Sequence, residues 1–179
     1  MRFRIRDFRK EEFELLWAID QECFPPGISY TRMELTFYMR RTGAFTLVAQ
    51  SEPEALGAKG GRQAGKPTAA AASQTAGDIL GFIVGEVSAR GAGHIITIDV
   101  RAGARRYGVG TALLQAAEAR LRGAGSRHVF LETAVNNAAA IAFYKRHSYE
   151  LIRTIPRYYK NSLDALLLGK RLAAEAGKG

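Results

Sequence analysis

The sequence is short of cysteine, histidine and acidic residues, and these shortages narrow the class of protein. Its one cysteine, Cys23, cannot form a disulfide within the chain, so we expect a reducing compartment such as the cytoplasm. The three histidines, His94, His128 and His147, lack the spacing of metal ligands, so we expect structural or solvated roles and no metal. No apolar run reaches the ~18 residues of a membrane-spanning helix, so we expect none.

The shortage of acidic residues leaves a strongly basic chain. Against 26 lysines and arginines stand 17 aspartates and glutamates, which gives a net charge of +9. Such a balance predicts an anionic partner: nucleic acid, an acidic membrane surface or a phosphorylated small molecule. The arginines are dispersed, and no stretch interleaves aromatic and basic residues as base-stacking surfaces do, which disfavours nucleic acid.

What is present is enough for one globular domain. The chain has 179 residues and is 47% hydrophobic, and we expect one domain over 1–172 with a flexible tail at 173–179. Between Ser51 and Gly77 the only large apolar side chain is Leu56, so we predict a disordered surface excursion there.

Two helices are predicted before that excursion. In the first, Phe13, Leu16 and Trp17 recur at helical spacing until Pro25 and the residues after it end the helix. The second begins at Thr31, because T-x-x-E is the pattern of a capping box closed by the glutamate three residues on. We expect its apolar side chains Met33 and Phe37 to face inward.

The remaining segments predict an alternation of strands and helices. Phe3 and Ile5 alternate with arginines in a first strand, and later strands are predicted at 45–50, 78–88, 94–100, 127–135, 149–155 and 164–172. Helices are predicted over 108–122, closed by Gly123, and after Asn136 and Asn137, which are good caps. The order β α α β β β α β α β β predicts a mixed α/β sandwich.

The loop RRYGVG lies between the strand at 94–100 and the helix at 108–122. The unpaired N–H groups at a helix start bind phosphate, glycines at 108 and 110 let a ligand approach the backbone, and Arg105 and Arg106 add charge. The loop is not a dinucleotide-binding fingerprint, because Leu113 stands where the third glycine belongs. The alternative is an ordinary strand-to-helix turn with solvated arginines.

Downstream residues favour the phosphate-binding interpretation. The pattern R-x-x-G-x-G at 105–110 is followed by L-E-T-A-V-N-N-A-A-A-I-A-F-Y at 131–144 and by Tyr158-Tyr159 with Asp164-Ala165. In these motifs the chain resembles the GNAT superfamily of N-acetyltransferases, and within it the RimI/Ard1 branch. The resemblance implies a mixed, largely antiparallel sheet of about seven strands with four helices, splayed between strands 4 and 5. It also implies acetyl-CoA-dependent acetylation of the α-amino group of a protein or peptide, of which a ribosomal protein is one example, without a membrane partner.

The resemblance also assigns residues. It implies that Arg105, Arg106, Tyr107, Gly108, Val109, Gly110 and Thr111 bind the pyrophosphate of coenzyme A, that the backbone of Ile98, Asp99 and Val100 pairs with its pantetheine arm, and that Asn137 contacts it. Glu132 is the implied base, directly or through water, and Tyr144 the implied acid. The alternative for Glu132 is a carboxylate paired with an arginine, and the alternative for Tyr144 is an ordinary aromatic residue of the core. Tyr30, Tyr158 and Tyr159 are candidate walls for the peptide, or else ordinary half-buried tyrosines.

The acceptor amine is open at this point. Ala134, Asn136 and Ser148 differ from residues common in the branch, so a small-molecule amine and an internal lysine are alternative acceptors. At pH 7, deprotonation costs roughly 1.4 kcal/mol for an α-amine and about 4.6 kcal/mol for a lysine, so a modest base suffices for the α-amine. A regulatory site for acetyl-CoA and a non-catalytic nucleic-acid-binding module are the alternatives to an enzyme.

Overall fold

Seven strands form one sheet with helices on both faces in the computed structural model, which describes residues 1–52 and 77–172. The strands are β1 Phe3–Asp7, β2 Ala44–Ser51, β3 Ile79–Val87, β4 Gly93–Val100, β5 His128–Ala134, β6 Glu150–Ile155 and β7 Ala165–Arg171. The helices are α1 Phe13–Cys23, α2 Arg32–Arg40, α3 Val109–Gly123 and α4 Ala138–Arg146. The predicted order of strands and helices is confirmed.

The sheet splays open at its centre. Its strand order is β1-β2-β3-β4-β5-β7-β6, and every neighbouring pair is antiparallel except β4 and β5. Those two strands pair only from Gly93 to Ile95 on β4 and from Val129 to Leu131 on β5. Because β4 runs on to Val100 and β5 to Ala134, the strands diverge and leave a cleft. The splay expected between strands 4 and 5 is confirmed.

Each face of the sheet has its own core. On one face the buried side chains of α3, among them Leu113, Leu114 and Leu121, pack with Ile83 of β3. The other core is built from α1, α2 and the opposite side chains of the same strands, including Leu16, Ile19, Leu35, Phe82 and Val84. The largely buried run of β3 fits between the two layers because both of its faces are covered.

A β-bulge in β4 decides which side chains reach the α1 face. Val84 pairs with Thr97 while the next residue of β3 pairs with Ile95, so Ile96 is the extra residue. The bulge reverses the alternation, and Thr97 and Asp99 therefore share a face with His94.

The local helix signals hold, with two corrections. Thr31 and Glu34 form the predicted capping box, with the Glu34 N–H donating to Thr31 Oγ1 at 3.2 Å and the Thr31 N–H donating to Glu34 Oε2 at 2.9 Å. The inward orientation expected for Met33 and Phe37 is wrong, since they are 81% and 62% exposed while Leu35 is buried. In α2, both 33/37 and 35/39 are apolar pairs four residues apart, so spacing alone does not choose the inner face.

The second correction concerns the end of α3. Gly123 is the last helical residue, and the left-handed glycine that closes the helix is Gly125, with φ +87°. Two predictions concern residues outside the described ranges: the disordered excursion, apart from its ends at 51–52 and 77, and the flexible tail at 173–179. Those ends lie side by side, since Ser51, the last residue of β2, donates its N–H to the Asp78 carbonyl at 2.8 Å.

Candidate active site

A cleft of about 800 Å³ opens where β4 and β5 separate. Its walls come from the edge of β4, the end of β5, the first turns of α3 and α4, the segment from Cys23 to Tyr30, and the β6–β7 loop. Most of the residues that the sequence singled out meet here. They are Tyr30, Ile98, Val100, Arg105, Arg106, Gly108, Gly110, Thr111, Glu132, Asn137, Tyr144, Tyr158 and Tyr159.

Three predicted residues do not line the cleft. Tyr107 points to solvent and is 58% exposed, and Val109 is buried in the core beneath α3. The side chain of Asp99 is fully buried on the α1 face of the sheet. The prediction for Asp99 concerned its backbone, and successive side chains of a strand point to opposite faces, so the burial of this side chain leaves it a prediction.

The N-terminus of α3 forms one end of the cleft. Gly108 precedes the helix with φ +83°, a conformation that a side chain disfavours, and no side chain caps the helix there. An alanine at 110 would meet Phe143 only at an ordinary contact distance of 3.5 Å, so this glycine leaves space on the cleft side. Free N–H groups, left-handed glycine and nearby arginines together suit a phosphate group.

The edge of β4 continues the cleft from that helix. Beyond Ile95 this edge has no pairing with β5, so its backbone groups face the opening. Two carbonyls of this stretch already have partners: the Val100 carbonyl accepts the Arg105 Nε–H at 2.9 Å and a weak contact from Cys23 Sγ at 3.5 Å, and the Ile96 carbonyl accepts a hydroxyl at 3.3 Å. An extended ligand can therefore pair with this edge as an added strand, with its phosphate end at α3.

At the other end, Glu132 belongs to a chain of charged side chains that crosses three strands. Glu132 Oε2 lies 2.7 Å from His94 Nε2, and His94 Nδ1 lies 3.6 Å from Glu86 Oε1. Glu86, which is nearly buried, is paired in turn with Arg41 at 3.1 Å. The partner of Glu132 is therefore a histidine and not an arginine, and the carboxylate stays on the cleft wall.

The surroundings of His94 favour its charged form. Burial by itself lowers the pKa of His94, but the hydrogen bond and charge of Glu132, together with the charge of Glu86, outweigh it and raise the pKa. Carboxylates flank both ring nitrogens: the imidazolium hydrogen-bonds to Glu132, and its charge is also attracted by Glu86. The imidazolium of His94 therefore persists to higher pH than that of a free histidine.

Tyr144 is both a core residue and a cleft residue. It is 5% exposed and stacks edge to face with Phe143 and with Tyr149 at 5.2 and 5.5 Å. Burial, with smaller effects from Asp99 and Tyr159, raises the pKa of Tyr144 well above that of a free phenol. Its hydroxyl therefore stays protonated and can act as a hydrogen-bond donor in the cleft.

Three other tyrosines line the same cleft. The Tyr30 hydroxyl donates to the Ile96 carbonyl at 3.3 Å, which fixes the ring at the bulge of β4. Tyr158 and Tyr159 stack edge to face at 5.0 Å on the β6–β7 loop. Burial and the charge of Glu132 raise the pKa of Tyr159 to about 12, so these rings lie in the field of that carboxylate.

The sequence missed His94 and Glu86. The expectation of a merely structural or solvated role for His94 is corrected by its contact with Glu132, 38 residues away. Nothing in the order of residues links the two, because the contact depends on the register of β4 against β5. Of the other histidines, His128 is exposed beside Phe130, and His147 contacts Thr111 at 3.2 Å.

Two features are absent from residues 1–52 and 77–172. No three His, Cys, Asp or Glu side chains within these ranges lie close enough together to hold a metal ion. In the same part of the chain, no helix is both long enough and apolar enough to cross a bilayer.

Comparisons with known proteins point to one family. The profile of the acetyltransferase (GNAT) family matches residues 12–149, which is more than half of the chain. This match includes the loop at α3, the strand that carries Glu132 and the helix that carries Tyr144.

Among curated proteins, the chain is similar to an uncharacterized N-acetyltransferase of Methanocaldococcus jannaschii, with 36% identity over 96 residues, 53% of this chain and 61% of the relative. It is also similar to an N-alpha-acetyltransferase of Sulfurisphaera tokodaii, with 36% identity over 81 residues, 45% of this chain and 48% of the relative. The chain thus spans between about half and three-fifths of the length of these relatives.

Among solved structures, Ard1 from Thermoplasma volcanium superposes with a TM-score of 0.76 at 24% identity, and the match covers 97% of this chain and 99% of that one. At that identity the likeness shows the fold. Together with the family profile, it leads to one conclusion. The chain belongs to the GNAT family of acetyltransferases.

Proposed function

We propose that this protein is an acetyl-CoA-dependent N-acetyltransferase that acts on the α-amino group of a protein or peptide N-terminus. One observation carries the proposal. The carboxylate of Glu132, 2.7 Å from His94, faces a cleft whose opposite end is the free β4 edge and the N-terminus of α3. A base and a site for an extended, phosphate-bearing ligand therefore share one cavity.

The residues of the α3 end fit acetyl-CoA. Gly108 and Gly110 leave the helix start open, Arg105 and Arg106 add positive charge, and the edge of β4 offers backbone groups to an extended arm. Enzymes of the GNAT family use acetyl-CoA, which supports this assignment. When bound, acetyl-CoA supplies the thioester carbon at which the amine forms the new amide bond.

Glu132, held by His94, removes a proton from the amine. An α-amine arrives mostly as an ammonium, and loss of its proton at pH 7 costs roughly 1.4 kcal/mol, against about 4.6 kcal/mol for a lysine. Glu132 accepts this proton, directly or through water, while His94 holds the carboxylate in place and shares its charge. The smaller cost supports the α-amine as acceptor.

Tyr144 acts on the leaving sulfur. Since burial raises the pKa of Tyr144, the phenol donates a hydrogen bond to the thiolate and transfers its proton only if the thiolate becomes the stronger base. Tyr30, Tyr158 and Tyr159 form walls for the first residues of the peptide.

The finer assignments belong to the same proposal. The relative from Sulfurisphaera tokodaii is named an N-alpha-acetyltransferase, which supports an α-amine acceptor and a place in the RimI/Ard1 branch. A ribosomal protein N-terminus is one acceptor to test. We also propose that the reaction uses no metal and takes place in the cytoplasm, a compartment in which the thiol of Cys23 would stay reduced.

The test is acetyl-CoA-dependent thiol release with matched peptides. One pool of short peptides carries free N-termini, including those of ribosomal proteins, and no lysine. A second pool has blocked N-termini and carries one lysine each. We expect release with the first pool only. Release with the second pool alone would contradict the α-amine assignment, and release with neither, despite measurable binding of acetyl-CoA, would contradict the peptide acceptor.

A further inference from the structure

His147 contacts the α3 end of the cleft without lining it. It is the residue that ends α4, and its ring lies 4.7 Å from that of Phe143. His147 Nε2 also lies 3.2 Å from Thr111 Oγ1 in the first turn of α3, 36 residues away in the sequence. Phe143 and Thr111 both line the cleft, and His147 contacts both of them from behind. A histidine of α4 is thereby joined to the helix start that suits a phosphate group.

The Thr111 hydroxyl has a single hydrogen, and His147 influences where it points. If this hydrogen bonds to a lone pair on His147 Nε2, the hydroxyl presents lone pairs to the cleft, and these repel a phosphate oxygen. If Nε2 carries a proton and donates it to Thr111 Oγ1, the hydroxyl hydrogen is free to point into the cleft. The proton on Nε2 therefore decides whether Thr111 can donate to a phosphate.

We propose that His147 is a positioning residue for acetyl-CoA: it donates from Nε2 to Thr111 Oγ1, directs the Thr111 hydroxyl to a phosphate oxygen, and takes up a second ring proton more readily once that phosphate is bound. This inference rests on the proposed binding of acetyl-CoA at the α3 end. A nearby anion favours the charged form of a histidine, and a hydrogen bond relayed through Thr111 favours the same form.

The charged groups around His147 favour its neutral form in the free protein. Those that act on it are Glu118 on α3, Lys170 on β7 and Arg146 on α4. Burial is the main cause that lowers the pKa of His147. Lys170 and Arg146 lower this pKa further, while Glu118, which Lys170 Nζ contacts at 2.9 and 2.8 Å, opposes them. A phosphate at α3 adds negative charge to this balance and shifts it toward the imidazolium.

Binding and protonation are therefore linked. Because the complex holds the ring proton more tightly than the free protein, the pKa of His147 is higher in the complex. Affinity for acetyl-CoA then increases as pH falls through the pKa of the complex, and the increase ends below the pKa of the free protein. At higher pH the neutral Nε2–H form still directs Thr111, so binding is weaker but not lost.

The first experiment measures the Kd of acetyl-CoA by isothermal titration calorimetry without any peptide. We expect His147→Ala to raise Kd about fivefold, the effect of losing one hydrogen bond. The matched control is His128→Ala, which removes an exposed histidine at the start of β5 and should bind acetyl-CoA as the wild type does. Equal Kd values for His147→Ala and the wild type would overturn the proposal.

A double variant separates positioning from a general loss of packing. Thr111→Val keeps the shape of the side chain but removes its hydroxyl. In that background, His147→Ala should raise Kd little further, because the group that it directs is already gone. If the two changes multiply their effects on Kd, His147 does not act through Thr111 and the proposal is wrong.

The pH profile of Kd tests the linked proton. His147→Gln retains an N–H donor but cannot take up a proton. Between about pH 8 and about pH 5.5, we expect Kd to fall more in the wild type than in His147→Gln, and the ionisation of the ligand itself cancels in this comparison. Parallel profiles would contradict the uptake of a proton on binding.

NMR of the wild type keeps the proposal testable if the variants fold poorly. With labelled histidine, the titration of His147 is recorded with and without coenzyme A, which carries the same phosphates as acetyl-CoA. We expect the pKa of His147 to be higher in the complex and its nitrogen shifts to show the proton on Nε2, while the signals of His128 titrate alike in both samples. A pKa of His147 that is unchanged or lowered by coenzyme A would overturn the proposal.

The outcomes distinguish this inference from the proposed function. Failure of every peptide as an acceptor would refute the proposed acceptor, and the binding and NMR results would still decide the role of His147. If the wild type binds acetyl-CoA as tightly as His147→Ala does, only the role of His147 fails. If the wild type does not bind acetyl-CoA, the proposed function and the role of His147 both fail.

Discussion

The two ends of the cleft are built in opposite ways. The α3 end consists of backbone from one short stretch, 105–111, whose arginines and glycines are consecutive or nearly so. The acceptor end consists of side chains brought together from separate elements: Glu86 on β3, His94 on β4 and Glu132 on β5. The α3 end is therefore encoded by a short sequence motif. The acceptor end depends instead on the register of the strands, which brings side chains far apart in the sequence together.

The largest effect is expected from breaking the acceptor end. Glu132→Gln keeps the size and a hydrogen-bonding group but removes the base, and we expect kcat/KM to fall at least about 100-fold. KM for acetyl-CoA should change little, since the α3 end is untouched. Steady-state kinetics with a free-N-terminal peptide measure both values. The control is Glu150→Gln, which makes the same change at an exposed carboxylate on β6. A comparable loss of kcat/KM in both variants would refute the role of Glu132.

A smaller effect is expected from His94→Ala. This change leaves the carboxylate but removes its charged partner, a contact worth about 1.5–3 kcal/mol, so we expect a loss of about tenfold or more in kcat/KM. If kcat/KM of His94→Ala equals that of the wild type across the pH range, Glu132 acts without help from His94.

The same contact should be visible in stability. The pKa of His94 is raised in the folded state, so its ion pair with Glu132 stabilises the fold fully below the unfolded pKa and less as pH rises through the folded value. The melting temperature lost in Glu132→Gln, relative to wild type, should therefore be larger at about pH 5.5 than at about pH 8.5. A loss that grows with pH would contradict the assigned direction.

These two ends also differ in how far the sequence revealed them. The order of elements, the capping box at Thr31 and the loop at 105–110 are local signals, and each could be predicted from hydrophobic period, helix caps and glycine placement. The contact of His94 with Glu132 could not, because it depends on a three-residue parallel pairing between strands joined through α3. The outward face of Met33 and Phe37 was hidden for a similar reason, since packing chose between two equivalent apolar stripes.

At the α3 end, Gly108→Ala should have a moderate effect. A non-glycine residue in the left-handed conformation costs roughly 1–2 kcal/mol, so we expect KM for acetyl-CoA to rise about fivefold or more while KM for the peptide stays constant. Gly103→Ala is the matched control, since Gly103 has no left-handed φ and an added Cβ there meets nothing within 4 Å. A rise in KM for the peptide alone would contradict the assignment of acetyl-CoA to the α3 end of the cleft.

The smallest effect is expected from a change that touches neither end. Deleting residues 53–76 and joining the strands by a short turn should shift the melting temperature by at most a few degrees, because loop-closure free energy changes slowly with length. The join is geometrically simple, since Ser51 already donates to the Asp78 carbonyl at 2.8 Å and the Gln50 side chain reaches the Gly77 carbonyl at 2.8 Å. Both KM values should match wild type. If the deletion changed KM for acetyl-CoA alone, residues 53–76 would contribute to the α3 end of the cleft. If it changed KM for the peptide alone, they would contribute to the acceptor end, and that end of the site would no longer consist only of the residues described above.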